Sequence, residues 1–140
     1  MDDKNPVSIE TSRDPIWRMR VYQLAVELLE ESWPDAEELS HHPMMLKVCD
    51  QLYSAVGSVE ANIADGYSRS SGKDRSRFFE YALSSTRESI AWYRAGRPIL
   101  GTETTNKRWN KLEEIRRLLL TIIPLERDKK ISPSRAQPKS

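Results

Sequence analysis

The chain of 140 residues is the length of one domain; with 31% charged residues, five glycines and eight prolines, it favours long helices over a turn-rich sheet. Its net charge is +1, yet residues 1–65 carry five Lys and Arg against thirteen Asp and Glu, a net of −8, and residues 66–140 carry seventeen against eight, a net of +9. A single cysteine, Cys49, excludes an intrachain disulfide and a thiolate metal cage, and with no basic-then-apolar leader and no run near the ~18 apolar residues of a membrane span the expected compartment is the cytoplasm.

Residues 1–13 are polar and without period, and are expected to be a disordered N-terminal segment. Asp14-Pro15 reads as an N-cap followed by proline at the first helical position, opening a helix over 15–33 with the stripe Trp17, Val21, Leu24, Leu28. Trp33-Pro34 is expected to end it, and the acidic stretch 35–42 to be a connection. Pro43 opens a second helix over 44–65 with two heptad stripes. One is apolar (Met45, Cys49, Leu52, Val56, Val59, Ile63), and beside it runs one of small or amide residues and a carboxylate (Gln51, Ala55, Ser58, Asn62, Asp65). Doubled stripes predict contact on two sides, with Cys49 a small core residue. Gly66 fits the left-handed position that commonly follows a helix.

The word Ser71-Gly72-Lys73-Asp74 is a capping box, which predicts a third helix over 72–95. It too carries paired stripes, Phe79, Leu83, Thr86, Ile90, Tyr93 beside Phe78, Ala82, Ser85, Ser89, Trp92. Gly96 to Gly101, with Pro98 inside, is expected to break it, and Thr102 to cap a fourth helix over 103–124 with Trp109, Leu112, Ile115, Leu119 and Ile122 on one face. Residues 127–140 read as a basic disordered tail. The expected class is therefore all-α, an up-down-up-down antiparallel four-helix bundle over residues 14–126.

The words Gln51-Leu52, Ser58, Asn62-Ile63-Ala64-Asp65-Gly66, and then Phe78, Ala82, Ser84-Ser85 and Glu88, resemble the four-helix-bundle proteins of intervening sequences in bacterial 23S ribosomal RNA genes, the S23-like family. Val21-Tyr22-Gln23, Ala25 and Trp33-Pro34 fit the same pattern, so the likeness covers about residues 17–101. The resemblance implies a four-helix bundle that forms a homopentamer. It also implies relationship to the accessory variability determinant of diversity-generating retroelements, which works beside a reverse transcriptase and binds nucleic acid. Asp65 stands where that family has Glu, Ser54 where a basic residue is common and Glu60 where proline is common. The last two move the second helix away from positive charge.

Gln51, Asn62, Asp65 and Glu88 are expected to form a polar network between helices, since a buried polar group left unsatisfied costs about 1–3 kcal/mol. The same residues do not present a catalytic constellation: no Gly-rich phosphate loop or nucleophile elbow accompanies them, and no enzyme activity, cofactor or metal site is expected. His41 and His42 sit in the acidic connection, without the Glu-x-x-His pairs of a dimetal bundle, and read as solvated. Basic residues cluster at the turn between helices two and three (Arg69, Lys73, Arg75, Arg77) and along helix four (Lys107, Arg108, Lys111, Arg116, Arg117). These are the nucleic-acid candidates, for RNA or DNA, against the plainer reading that the basic half is neutralised by the acidic half of the same or the next subunit. The function expected from sequence is a non-enzymatic oligomeric scaffold, either a nucleic-acid-binding accessory factor with a reverse transcriptase as partner or a protein-only adaptor.

Overall fold

The structure is a computed structural model that describes residues 12–129. Four helices make up nearly all of it: α1 (Arg20–Ser40), α2 (Leu46–Tyr67), α3 (Gly72–Leu100) and α4 (Thr102–Arg127), with short 3-10 turns at Pro15–Arg18 and Pro43–Met45. No strand occurs among the described residues. The expected disorder of residues 1–13 and of the tail falls largely on residues 1–11 and 130–140, outside the described range.

Cross-helix contacts give the direction of each element. On α1 and α2, Leu29 meets Gly57, the rings of Trp33 and Tyr53 meet edge to face at 5.5 Å, and Cys49 Sγ donates to the carbonyl of Ala36 at 3.1 Å. Residue numbers rise on one helix as they fall on the other, so the pair is antiparallel. The ion pairs Arg20–Glu114, Lys111–Glu27 and Arg108–Asp35 show the same for α1 and α4, and Arg75–Glu126 with Trp109 Nε1 donating to Ile90 O show it for α3 and α4. The bundle is up-down-up-down, and α1 and α3 run parallel. Its centre is filled by Leu24, Leu28, Leu39, Leu52, Val56, Val59, Ile63, Phe79, Tyr93, Leu112, Ile115 and Leu119, all essentially inaccessible, each apolar side chain contributing about 1.5–3 kcal/mol on burial.

Five local expectations are corrected. The helix expected over 15–33 is broken at Met19, which is extended (ψ 114); before it the 3-10 turn is capped by Asp14, whose Oδ1 accepts from Ile16 N–H at 3.0 Å. Its end is also misplaced, because α1 continues through Pro34 to Ser40. A proline inside a helix removes one hydrogen bond and costs about 3 kcal/mol, but the turns beyond it bury Ala36 and Leu39 and bring Asp35 to Tyr93 and Arg108, which holds the helix together past the break. The connection expected at 35–42 shrinks to the residues after Ser40. Likewise α3 does not stop at residue 95. It passes Pro98 to Leu100, held by buried Leu100 and by Gly96, whose missing side chain lets both δ carbons of Leu39 approach; a Cβ there would lie 3.3 Å from them.

Gly66 is the fourth correction, since it is helical within α2 and not in the left-handed region. Its role is close packing: a Cβ would come within 2.7 Å of the Phe79 ring. The left-handed glycine is Gly101, with φ 86 and ψ 161, which by itself joins α3 to α4. Its N–H donates to Arg97 O at 2.8 Å and its carbonyl accepts from the N–H and hydroxyl of Thr105 at 3.1 and 2.7 Å. Finally, α4 passes Pro124 and ends at Arg127, beyond the expected 124, because Ile123 is buried and Glu126 is tied to Arg75. Helix two likewise begins later, at Leu46, after the 3-10 turn, and ends at Tyr67.

Candidate nucleic-acid interface and polar network

The basic residues of α4 do not form a free strip. Arg108 Nε donates to Asp35 Oδ2 at 2.7 Å and its Nη1 lies 3.7 Å from Glu31; Lys111 Nζ reaches Glu27 at 3.2 Å and Glu31 at 2.9 Å. Both partners sit on α1. The acidic first half therefore neutralises the basic second half inside one chain at this seam. Arg116 is held by Glu113 of its own helix at 2.8 Å and Lys107 by Glu103 at 3.5 Å, while Arg117 is exposed and has no ion pair. Of five candidates on this helix, four are matched by carboxylates, and phosphate would have to displace those partners.

At the turn between α2 and α3 the candidates separate by role. Arg75 is 2% exposed and cannot contact nucleic acid: Nε donates to Glu126 Oε2 at 2.8 Å, and Nη1 donates to the carbonyls of Arg69 and Ser70 at 3.0 and 3.1 Å. It satisfies the unpaired carbonyls of the turn and fastens them to the end of α4. Gly72 permits that approach, because a Cβ there would lie 1.9 Å from Glu126 O. Ser71 Oγ accepts from Asp74 N–H at 3.1 Å, whereas the Asp74 carboxylate turns to Arg77 at 3.6 Å. Arg69 and Arg77 lie over the Phe78 ring at 4.5 and 5.3 Å from its centroid, and Phe78 meets Tyr81 edge to face at 5.5 Å. Lys73 is exposed without an ion pair. A hollow of about 430 Å³ lined by Lys73, Asp74, Ser76, Arg77, Glu80 and Arg127 adjoins this group.

The polar network expected from Gln51, Asn62, Asp65 and Glu88 is not one in the folded chain. Asp65 and Glu88 are exposed, and Asn62 Nδ2 donates back to Ser58 O of its own helix at 2.9 Å; Gln51 is half-buried. Glu88 lies 3.5 Å from Trp92 Nε1. The heptad stripe that suggested burial sits at the flank of α2, where the apolar stripe already faces the core.

A different network is buried. Tyr93 Oη donates to Asp35 Oδ2 at 2.6 Å, and Arg108 donates to both oxygens of the same carboxylate, so one side chain ties α1, α3 and α4. Burial, followed by the bond to Asp35, pushes the Tyr93 phenol far above its ordinary range, and the bond to Asp35 raises Arg108. The phenol keeps its proton and the guanidinium its charge, so the triad is a fixed lock and not a proton shuttle. Sequence reading missed it because Asp35 lay in a presumed connection. The available signal was Tyr93, whose hydroxyl in an apolar stripe requires a partner.

Cys49 is half-buried; burial, then the charge of Asp50, raises its thiol, which donates to Ala36 O. His41 and His42 are exposed, and no group of three His, Cys, Asp or Glu side chains placed to hold a metal occurs among the described residues. A second hollow, about 440 Å³ and wholly apolar, lies between His42, Pro43, Met44, Met45, Pro98 and Ile99. Neither hollow includes Asp65 or Glu88. No helix among the described residues is long and apolar enough to cross a membrane.

Comparison with known proteins agrees with the architecture. The family described as 23S rRNA-intervening sequence protein matches residues 18–121. A crystal structure of a protein of unknown function from the S23 ribosomal protein family of Bacteroides thetaiotaomicron superposes with a TM-score of 0.69 at 21% identity, over 74% of this chain and 97% of that one. At that identity the likeness speaks for the fold. No curated protein matches the chain.

Proposed function

Because this chain belongs to the 23S rRNA-intervening sequence protein family, we propose that it is a non-enzymatic four-helix-bundle scaffold that associates with copies of itself, as a pentamer. The observation that carries this reading is how the charges are used. Buried polar side chains are committed to fixed pairs, Asp35 with Tyr93 and Arg108, and Arg75 with Glu126, which leaves them no part in chemistry. Carboxylates such as Glu30, Glu37 and Asp50 stay exposed without ion pairs on α1 and α2. The pentamer itself is taken from the resemblance of the Gln51 to Glu88 words to S23-like proteins. Light scattering at micromolar concentration tests it: an assembly of five is expected, and a monomer overturns the reading.

A second reading is favoured by the α2–α3 turn, where Arg69 and Arg77 lie over Phe78 and exposed Lys73 lines the hollow beside Arg77. Here the scaffold holds RNA or DNA, with guanidinium and ammonium groups on phosphates and the aromatic pair beside a base. Its site is the turn and no longer the α4 strip. Titration of generic RNA and DNA at about 50 mM salt is expected to give binding that weakens steeply with added salt. Loss of that binding in Arg69→Glu/Lys73→Glu, with the assembly intact, supports it; no binding at 50 mM salt rules it out. A reverse transcriptase as the scaffold's protein partner is tested by co-purification of the two expressed together.

A further inference from the structure

Once internal ion pairs are set aside, α1 keeps a row of unmatched carboxylates and α3 a row of unmatched cations. Exposed carboxylates without an ion pair include Glu30, Glu37 and Glu38 on α1, and exposed cations without one include Lys73, Arg87, Arg94 and Arg97 on α3, where Glu88 is exposed as well; Lys47 on α2 and Arg117 on α4 are also unpaired. These two sets also share a spacing. Glu30 and Glu37 are separated by two helical turns, roughly 10.5 Å, and so are Arg87 and Arg94. Because α1 and α3 run parallel, the two rows ascend in the same direction. Their heights match as well: Tyr93, next to Arg94, bonds Asp35, and Gly96 packs on Leu39, so residues 93–96 of α3 lie level with 35–39 of α1.

Between the two acids stands Trp33, 58% exposed, three residues after Glu30 and four before Glu37. Its ring is fixed by the edge-to-face contact with Tyr53 of α2. Midway between the two arginines stands Ala91, exposed and small, with half-buried Ile90 beside it. An indole has a place to sit there that a larger residue would fill. Glu60, on the same side as Glu30, is raised by burial and then by the charge of Glu30, so this face carries carboxylates crowded without a counter-charge.

We infer that the row Glu30–Trp33–Glu37 on α1 of one copy docks on the row Arg87–Ala91–Arg94 on α3 of a second copy. The indole packs over Ala91 and Ile90, and each carboxylate meets a guanidinium. The two rows are different surfaces of the same chain, so the contact is heterologous and repeats from copy to copy, and equal heights allow it by rotation about an axis parallel to the helices. Trp at the centre with charges at the rim is the usual arrangement of a binding hot spot. This inference rests on the self-association reading and names the surfaces that perform it.

The test is charge reversal on each row and then on both. Sedimentation of Glu30→Arg/Glu37→Arg and of Arg87→Glu/Arg94→Glu should show association weakened by at least roughly a hundredfold in each, because like charges then face one another. Circular dichroism should be unchanged, as all four positions are exposed. The two variants mixed in equal amounts, and the chain carrying all four substitutions, should regain assembly. Trp33→Ala should weaken it without altering its salt dependence. If the wild type assembles and both single-row variants assemble equally well, this pairing is wrong while the scaffold reading stands; if the wild type is monomeric, both fall. If the α3 reversal leaves assembly intact and abolishes RNA binding, the row is a nucleic-acid surface and the inference is overturned.

Discussion

Asp35 holds three helices through two oxygens, so its loss is unlike that of an ordinary surface acid. Asp35→Ala leaves the Arg108 charge with only Glu31 at 3.7 Å and the Tyr93 hydroxyl without a partner in a buried site. The expected cost is about 3–5 kcal/mol, measured as the change in unfolding free energy by urea titration. Tyr93→Phe removes one neutral donor while Arg108 keeps the carboxylate paired, and should cost about 1–2 kcal/mol. A ranking in the reverse order would show that the phenol, not the ion pair, is the main tie. Neither role was legible from the residue itself. Four basic residues around the α2–α3 turn looked alike in sequence, and burial alone separates Arg75, which bonds the turn's carbonyls, from Lys73, which faces solvent.

At the scale of elements, the boundaries set by local chemistry were readable where no distant contact competes. Ser71 caps α3 through Asp74 N–H, and Asp14 caps the turn before α1. All three prolines inside helices were misleading, because Pro34, Pro98 and Pro124 are followed by residues whose burial or ion pairing is decided by other helices. Gly101 is the converse case: a break signal that is real and is compressed into one residue. Its φ of 86 with ψ of 161 is a conformation essentially restricted to glycine, so Gly101→Ala should cost about 1–3 kcal/mol. The readout is a lower urea midpoint with unchanged slope, since the compactness of both states is preserved. A wild-type midpoint would mean that the junction relaxes without strain.

For the whole molecule, two buried charge ties close the bundle at opposite ends, Asp35 with Arg108 at one and Glu126 with Arg75 at the other. Burial pushes the Glu126 carboxyl up, but the bond and charge of Arg75 prevail and leave it below its ordinary value of 4.5. A depressed carboxyl stabilises the fold above its unfolded value and loses that contribution as pH falls through the folded value. Glu126→Gln should therefore lower the Tm at pH 7 and converge on the wild type once the pH has fallen through the folded carboxyl's lowered range. A variant as stable as the wild type at pH 7 would deny the tie. Glu60 works in the opposite sense: raised by burial and Glu30, it burdens the fold at neutral pH and is relieved by acid.

Sequence by itself determined the class, the count of helices and the core, because heptad stripes such as Leu52, Val56, Val59 and Ile63 require a buried face wherever they fold. It also determined the charge imbalance between the halves, which is a property of composition. How that imbalance is spent was decided by tertiary structure alone. Packing α1 beside α4 sets Glu27, Glu31 and Asp35 against Arg108 and Lys111 and removes those cations from the surface. The same packing leaves Glu30, Glu37, Arg87 and Arg94 facing outward, because a helix has one side for its neighbour and one for whatever lies beyond it.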